Sequence, residues 1–328
     1  MRAIVVREPG DERVLVVGDA PRPPLGPADV RIRVRAAGVN RADLLQRQGL
    51  YPPPPGASPI LGLECAGEVV EVGPEARGFA PGQRVMALLA GGGYAEEAVV
   101  HFGSVLPVPD GMTDEEAGGF PEVFLTAFSN LFMPRLGHLA PGEAALVHGG
   151  GGGVGTAAIL LLREAGHRVI VTAGSEAKCR RCIELGATAA IDYRTEDFAA
   201  RARELTDGQG VNVILDHIGA RYLAANLAAL APGGRLVEIG LMGGATAEVN
   251  LAQLLLRRLA VIGSTLRSRS NQDKAAIVDG FRARFGAALA RGGLRPVVDR
   301  VLPLEQAPEA HRLMQASGHF GKIVLRVS

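Results

Sequence analysis

The stretch Ala144-Ala145-Leu146-Val147-His148-Gly149-Gly150-Gly151-Gly152-Gly153-Val154-Gly155 joins a short apolar run to a run with helical potential, Thr156 to Leu162. Strand, glycine turn and helix form a phosphate site because glycines let the backbone approach a pyrophosphate and the helix N-terminus presents free N–H groups. The spacings Gly150-x-Gly152-x-x-Gly155 and Gly149-x-x-Gly152-x-x-Gly155 both fit, so the register stays open. Taken alone the match is weak, and a flexible loop is the competing interpretation.

Alternating strand and helix patterns on either side of this turn favour the phosphate site. Between Gly142 and Leu266, strands are predicted at 144–148, 168–173, 188–191, 211–216, 234–240 and 259–264, and helices at 154–165, 176–185, 196–205, 220–229 and 250–257. Six strands with helical crossovers predict a doubly wound parallel sheet of the α/β class, the Rossmann fold. The glycine run lies at its first strand–helix turn, which is where a dinucleotide fold binds the pyrophosphate.

The remaining sequence follows a different pattern. Short strands are predicted at 2–7, 29–36, 65–72 and 84–89, and Pro/Gly turns separate them, which is typical of a mainly β, partly closed barrel. After residue 266 a helix, a strand, a helix and a strand are predicted at 272–290, 295–302, 304–315 and 321–327, and we expect this tail to pack on the N-terminal domain. The expected domains are therefore 1–123 with 267–328, and 124–266.

Composition excludes several classes of function. The 328 residues are 47% hydrophobic and 21% charged, as in an ordinary soluble α/β enzyme. A net charge of +1 provides no field that would attract nucleic acid or an anionic membrane. No apolar run reaches the roughly 18 residues of a membrane span, and the N-terminus becomes charged too early for a signal peptide. We expect a cytoplasmic protein in which Cys179 and Cys182, inside a predicted helix, are passive.

The end of the second strand of the Rossmann domain discriminates between the nicotinamide cofactors. NAD-binding versions usually carry an acid there, ~20 residues after the glycine motif, to bind the ribose 2′-hydroxyl. This chain has Gly174-Ser175 instead, which removes the repulsion toward a 2′-phosphate. Lys178 supplies a countercharge, assisted by Arg181 or Arg194, although a solvated surface lysine is the alternative. We predict NADPH as the cofactor.

Further segments carry a family resemblance. They are Ala37-Gly38-Val39-Asn40-Arg41-Ala42-Asp43, Gln48-Gly49-Leu50-Tyr51-Pro52-Pro53 and Leu61 to Val69, extended by 120–127, 263–267 and 318–325. With them the chain resembles the medium-chain dehydrogenase/reductase superfamily, and within it the zinc-free, zeta-crystallin-like NADPH:quinone oxidoreductases, nearest to the tumour-suppressor-inducible branch. The resemblance covers essentially the whole chain. It implies a GroES-like catalytic domain beside the Rossmann domain.

Departures from the zinc alcohol dehydrogenases of that superfamily bear on the chemistry. Those enzymes have a Cys-His pair where this chain has Asn40-Arg41, and Gly-His-Glu where it has Gly62-Leu63-Glu64. No cysteine lies between Cys65 and Cys179, so the four-cysteine zinc lobe is absent as well. Tetrahedral zinc sites are built from such N and S ligands, and we therefore expect no metal.

Without a Lewis acid, alcohol oxidation has no group to stabilise an alkoxide, whereas an electron-poor quinone or enone accepts hydride readily. We therefore predict zinc-independent, NADPH-dependent reduction of quinones, with the acceptor bound in the interdomain cleft against the nicotinamide. A 2-alkenal or enoyl reductase and a non-catalytic NADPH-binding protein are the alternatives.

Tyr51 is the leading candidate for the hydrogen-bond donor to the developing oxyanion. The prolines after it stiffen its loop, and the resemblance places it at the nicotinamide end of the cleft. A half-buried tyrosine with a satisfied hydroxyl is the alternative. Asn40, the second catalytic candidate, is able to hydrogen-bond at the lost ligand position, or else is a turn residue before a helix. We expect Glu64 to be an ion-pair partner, with Arg41 as a candidate for the other charge, rather than an acid catalyst. We expect His148 to be a packing residue rather than a base.

The resemblance also implies which residues contact the cofactor. Tyr51 and Lys322 belong to this set, Lys322 as a family lysine of the final strand. The others contact the pyrophosphate (Thr126, Gly151, Gly152, Gly153 and Val154), the adenosine phosphate (Gly174, Ser175, Lys178 and Tyr193) and the nicotinamide (Ile239, Gly240, Leu241, Ser264, Thr265 and Leu266).

The last predicted strand of the Rossmann domain bears on assembly. The stretch Arg257 to Ser264 forms an apolar edge strand, which is exposed unless it is paired. Relatives with this fold pair that strand across a two-fold axis, so we expect a homodimer. No nucleic-acid or membrane partner is expected.

Overall fold

The computed structural model describes residues 1–327 and divides the chain into two compact units. One unit combines residues 1–125 with the residues from 266 onward, and the other is Thr126–Thr265. No helix in the described part of the chain is both long enough and apolar enough to cross a membrane.

Residues 1–327 form ten α-helices and fifteen β-strands. In order they are β1 (Arg2–Val5), β2 (Val16–Asp19), β3 (Asp29–Val39), α1 (Arg41–Arg47), β4 (Glu64–Val72), β5 (Arg84–Leu88), β6 (Glu97–His101), β7 (Val105–Pro107), α2 (Asp114–Gly118), α3 (Pro121–Phe132), β8 (Ala144–Val147), α4 (Gly153–Glu164), β9 (Arg168–Ala173), α5 (Glu176–Leu185), β10 (Ala189–Asp192), α6 (Phe198–Glu204), β11 (Val211–Asp216), α7 (Leu223–Ala229), β12 (Leu230–Glu238), α8 (Leu251–Arg257), β13 (Ala260–Gly263), α9 (Asn271–Ala290), β14 (Val298–Pro303), α10 (Ala307–Ala316) and β15 (Lys322–Arg326).

The first unit is a mainly β domain. Its largest sheet has the strand order β14-β15-β3-β4-β5-β7, with β6 also paired to β3, while β1 and β2 form a separate antiparallel pair. Along β3 the apolar residues Val30, Ile32 and Val34 alternate with arginines and are fully buried, as expected for a strand with one face on the core. This is the mainly β, GroES-like part of the predicted fold.

The C-terminal tail enters that sheet and brings distant residues together. Strand β15 pairs antiparallel with the end of β3, with Ile323 opposite Val39, while β4 pairs with β3 on its other side. Lys322 therefore lies next to the residues that connect β3 to α1. Its ammonium nitrogen is 2.6 Å from Glu64 Oε1 at the start of β4, and the two side chains are 2% and 0% exposed.

The second unit is the doubly wound sheet expected from the sequence. Its six strands have the order β10-β9-β8-β11-β12-β13 and are all parallel. Strands β8, β9 and β11 are almost continuously apolar and buried, because helices cover parallel sheets on both faces. The helices expected between the strands are all present, and the Rossmann fold is confirmed.

Strand β12 departs furthest from its predicted bounds. Strand β12 begins at Leu230 rather than at residue 234, and it ends at Glu238 rather than at residue 240. The sequence Pro232-Gly233-Gly234 has the composition of a turn, but the strand continues through it with an irregular register opposite Val211 and Val213. Gly233 adopts φ +76°, which a residue with a side chain rarely does.

The buried ion pair predicts a measurable dependence of stability on both charges. Lys322→Met should lower the free energy of unfolding by about 3–5 kcal/mol, because it leaves the Glu64 carboxylate buried and unpaired. The double variant Lys322→Met/Glu64→Gln should recover most of that loss, since it removes both charges. Urea unfolding followed by circular dichroism measures both effects.

A surface pair provides the control. Arg180 and Glu176 lie 3.1 Å apart with 65% and 89% of their side chains exposed, and Arg180→Met should cost less than about 1 kcal/mol. A loss in Lys322→Met as small as that of the control would contradict the role assigned to the buried pair.

Candidate functional site

The glycine run forms a tight turn between β8 and α4, as expected. Gly149 adopts φ +66°, and a Cβ at Gly155 would lie 2.2 Å from the Gly149 carbonyl oxygen. A Cβ at Gly150 would lie 2.7 Å from the Val171 side chain. Gly149 is therefore required by its backbone conformation, and Gly150 and Gly155 are required by the packing. A side chain at any of these positions would force a shift of the backbone or of a neighbouring residue.

The N-terminus of α4 fits a pyrophosphate. Gly152 is the N-cap residue, and the first helical N–H groups, those of Gly153, Val154 and Gly155, have no carbonyl partner one turn earlier in the helix. These N–H groups and the positive end of the helix dipole favour an anion at this turn. Thr126 lies on α3, where its carbonyl oxygen accepts a hydrogen bond from Asn130 Nδ2 at 2.8 Å.

Residues expected at the adenosine phosphate lie around the turn after β9. A Cβ at Gly174 would lie 2.5 Å from the Tyr193 hydroxyl, so glycine lets Tyr193 approach the end of the strand. Ser175 is the N-cap of α5, and its Oγ accepts a hydrogen bond from the Lys178 backbone N–H at 3.3 Å. The Ser175 hydroxyl hydrogen remains able to donate. Lys178 belongs to the first turn of that helix.

Cys179 and Cys182 lie inside α5, as expected from the sequence. Burial raises the pKa of both thiols, that of Cys182 to about 12. A thiol with a raised pKa is poorly nucleophilic at neutral pH, which fits the passive role expected for both residues.

Most residues expected at the nicotinamide lie at the carboxyl edge of the parallel sheet. Ile239 N–H donates to the Asp216 carbonyl oxygen at 2.7 Å, and Ser264 N–H donates to the Glu238 carbonyl oxygen at 2.9 Å. Gly240 and Leu241 follow Ile239, and Thr265 follows Ser264, so all of them come directly after the strand ends β12 and β13. Ligands of open α/β sheets bind at this edge. Leu266, the first residue of the chain's return to the other unit, is buried.

A buried polar cluster at this edge was not foreseen from the sequence. Asp216 is fully buried and accepts hydrogen bonds from the N–H groups of Ile218 and Gly219 and from Asn226 Nδ2. Asn226 Oδ1 lies 2.7 Å from Nε2 of His148, whose pKa is lowered by burial. His148 therefore packs inside the unit, as expected. The sequence feature that could have indicated this cluster is Asp216 itself, an aspartate at the end of an apolar strand.

In the other unit, Asn40, Glu64 and Lys322 form one hydrogen-bonded network. Lys322 Nζ donates to Asn40 Oδ1 at 2.7 Å and to the Val39 carbonyl oxygen at 2.8 Å, in addition to its contact with Glu64. Asn40 Nδ2 donates to Glu64 Oε1 at 2.9 Å. An ammonium group has three N–H donors, and these three oxygens use them all.

This network changes the roles expected for its members. Glu64 is an ion-pair partner, as expected, but its partner is Lys322. The candidate partner Arg41 is wrong, because its guanidinium donates to Ser317 Oγ at 3.0 Å. A direct contact of Lys322 with cofactor would require one of its three bonds to break. The Asn40 amide is likewise engaged at both of its ends, so Asn40 orients the network. It also precedes α1, where its backbone N–H donates to Asp43 Oδ2 at 2.8 Å.

The donor set does not fit a catalytic zinc ion. Leu63 offers no ligand atom, and Asn40 Oδ1 and Glu64 Oε1 both contact the Lys322 ammonium. Zinc sites use cysteine, histidine and carboxylate ligands in a tetrahedron. Within residues 1–327 no three His, Cys, Asp or Glu side chains are grouped so that they could hold a metal ion.

Tyr51 is held by Arg267, a residue that the sequence reasoning did not assign to the site. The Arg267 guanidinium lies 5.2 Å from the centre of the Tyr51 ring and donates to the Tyr51 carbonyl oxygen at 3.2 Å. Arg267 is itself 3% exposed and is fixed by Gln46 Oε1 at 2.6 Å and by the Ala90 carbonyl oxygen at 2.8 Å. The contacts of Tyr51 thus involve its ring and its backbone. Burial raises the pKa of its hydroxyl, which therefore keeps its proton.

Comparison with known proteins agrees with this architecture. Residues 26–110 match the alcohol dehydrogenase GroES-like domain and residues 153–279 match the zinc-binding dehydrogenase family. A crystal structure of an NAD-dependent alcohol dehydrogenase is 36% identical with a TM-score of 0.86, and each chain covers 100% of the other. Escherichia coli quinone oxidoreductase complexed with NADPH is 26% identical, with a TM-score of 0.86 and 100% of both chains covered.

A longer relative matches as well. A phenolphthiocerol/phthiocerol polyketide synthase of Mycobacterium tuberculosis is 35% identical over 302 residues, which is 91% of this chain and 13% of the synthase polypeptide. The chain thus spans a small part of that relative. The two family matches and the full-length identity of 36% show that the chain belongs to the medium-chain dehydrogenase/reductase superfamily of nicotinamide-dependent oxidoreductases.

Proposed function

We propose that this protein is a zinc-independent, NADPH-dependent quinone reductase of the quinone oxidoreductase branch. The observation that carries the proposal is the closed network of Lys322, Asn40 and Glu64 at the positions where zinc-dependent relatives bind their metal. A quinone needs no Lewis acid, because it is already electron-poor. Hydrogen bonds to the developing oxyanion suffice.

In this mechanism the protein groups bind the cofactor, orient the acceptor and donate a hydrogen bond to it. The turn at 149–155 binds the pyrophosphate, and Ser175 with Lys178 binds the 2′-phosphate. Bound NADPH supplies the hydride. Tyr51 donates a hydrogen bond to the acceptor oxygen from a loop that Arg267 fixes in place.

A second candidate acceptor is a conjugated carbon–carbon double bond, as in a 2-alkenal or an enoyl substrate. The similarity to part of a polyketide synthase favours it. Both acceptors take one hydride and one proton, so the same donor groups serve either reaction. A non-catalytic NADPH-binding protein is the third possibility, and NADPH oxidation assays with quinones and an alkenal discriminate among all three.

Tyr51→Phe should lower kcat by about 100-fold, because it removes one donor to the developing oxyanion. Its affinity for NADPH, measured by fluorescence titration, should stay unchanged. The assay is NADPH oxidation with ortho-quinones, para-quinones and an alkenal. Tyr222→Phe, which alters a ring packed on His148 and Phe198, is the matched control.

The outcomes of this assay separate the candidate functions. Turnover of quinones in preference to the alkenal supports the proposal, and the reverse preference supports the alternative. A wild-type protein that binds NADPH but oxidises it with no acceptor would refute both reductase functions. An unchanged kcat in Tyr51→Phe would remove Tyr51 from the mechanism.

Lys178→Ala should weaken NADPH binding by about 10-fold or more and leave NADH binding unchanged, because a hydrogen bond to a charged group contributes about 1.5–3 kcal/mol. Arg180→Ala, on the same helix and paired with Glu176, is the control. The ratio of kcat/KM for the two cofactors is the measurement. Comparable wild-type values for both cofactors would contradict the NADPH preference.

We also propose a homodimer that pairs β13 of two copies. Helix α8 next to this edge strand exposes Leu251, Leu255 and Leu256 at 73%, 77% and 75%, and Val261 within β13 is 44% exposed. An apolar cluster beside an open sheet edge is typical of a protein–protein interface.

Leu255→Glu should therefore convert a dimer to a monomer at micromolar concentration, as measured by light scattering, because it places a charge within the apolar interface. Ile183→Glu, on α5 of the same unit, should leave the dimer intact. A monomeric wild type would refute the proposal.

A further inference from the structure

Glu122 is a carboxyl group in the first turn of α3, directly beside the Lys322–Glu64–Asn40 network. Its backbone N–H donates to Glu64 Oε2 at 2.9 Å, so the side chain begins next to the Glu64 carboxylate. Its own Oε2 is shielded from solvent and has no hydrogen-bond partner within residues 1–327. A shielded carboxylate oxygen without a partner is costly, whereas a neutral carboxylic acid at the same place costs less.

Some of the charges around Glu122 raise the pKa of its carboxyl group and others lower it. Burial and then the Glu64 carboxylate, on β4, raise the pKa of Glu122, and Asp43 on α1 adds to the increase. Lys322 on β15 and Lys274 on α9 oppose them, but Lys322 is already paired with Glu64 and Lys274 Nζ donates to the Arg267 carbonyl oxygen. The resulting pKa is about 8, so the carboxyl group keeps its proton at neutral pH.

The charge of Glu122 also acts electrostatically on Tyr51 and Arg267. Its negative charge, when present, raises the pKa of the Tyr51 hydroxyl and that of the Arg267 guanidinium. Glu122 and Tyr51 are the two candidate acids, and they hold their protons with different affinities. Burial raises the pKa of Tyr51 above that of an ordinary tyrosine, which makes it a hydrogen-bond donor but a poor acid. A general acid is most effective when its pKa is near the working pH, and Glu122 meets that condition.

We propose that Glu122 is the proton source for the acceptor in the reduction assigned to this protein, and that Tyr51 donates a hydrogen bond without losing its proton. This inference rests on the proposed function. In the step, a quinone gains a hydride and one proton. The O–H bond of Glu122 breaks, its proton forms a new O–H bond on the acceptor, and the electron pair stays on the Glu122 carboxylate. A proton from water then restores the acid, and the balance is NADPH, H⁺ and quinone to NADP⁺ and hydroquinone.

The first test does not depend on turnover. The infrared difference between the wild type and Glu122→Gln, recorded on the protein without cofactor, should contain the carbonyl stretch of a protonated carboxylic acid at pH 7. That band should disappear as the pH rises through about 8. Glu75→Gln, which changes an exposed glutamate of the same unit, should produce no such band. An ionised Glu122 at pH 7 would overturn the proposal.

The second test uses the pH profile of kcat/KM with a quinone. The wild-type value should fall above pH about 8, where Glu122 loses its proton. Glu122→Gln should be slower by about 100-fold or more and should lack that decrease, because general acid catalysis contributes about 10²–10⁴-fold. Glu122→Asp keeps the acid and should restore part of the rate together with a pH-dependent decrease. NADPH affinity should be unchanged in both variants.

The outcomes distinguish the inference from the function on which it rests. A wild type that reduces quinones, together with a Glu122→Gln variant of unchanged rate and pH profile, would overturn the role of Glu122 and leave the proposed function standing. A wild type that reduces no acceptor would overturn both, even if the infrared band of a protonated Glu122 is present.

Discussion

The ion pair between Lys322 and Glu64 is the interaction on which the first unit's site depends. Burying one of these charges alone is unfavourable, and the pair is stable because each charge is compensated within hydrogen-bonding distance. The Glu64 carboxylate also accepts from the Asn40 amide and from the backbone N–H of Glu122. The residue before α1 and the first turn of α3 are thereby attached to one carboxylate. A single pair of charges thus fixes the positions of Asn40 and Glu122.

The network around Lys322 has electrostatic consequences for the chemistry that this site can support. An ammonium carries one charge and three N–H donors, all used here, and it has no open coordination position for a substrate oxygen. The site cannot polarise an alcohol as zinc does, because Asn40 Oδ1 and Glu64 Oε1, the oxygens that could bind a metal, both contact the Lys322 ammonium. The quinone reduction proposed above asks of such a site only hydrogen-bond donors and an acid, because its acceptor is already electron-poor.

The sequence predicted the local features of the structure better than the features that join distant parts of the chain. The glycine turn and the alternating strands and helices were predicted because short apolar runs and their flanking turns mark parallel strands. The start of β12 was missed because Pro232-Gly233-Gly234 resembles a turn although it continues a strand. The predicted partner of Glu64 was wrong because the antiparallel pairing of β15 with β3 brings Lys322 next to Glu64. No local sequence pattern encodes that pairing. Arg267 was missed for the same reason, since its contacts with Tyr51 and Gln46 span more than 200 positions of the chain.

The distance along the chain between Asn40 and Lys322, 282 residues, has a consequence for biosynthesis. A ribosome releases β3, β4 and the whole of the second unit before it releases β15. The second unit is continuous in sequence, and domains fold as units while the chain emerges. The nascent first unit, in contrast, holds Glu64 without its counter-charge until the final strand arrives. Completion of the first unit is therefore a late event, and the second unit is able to fold before it.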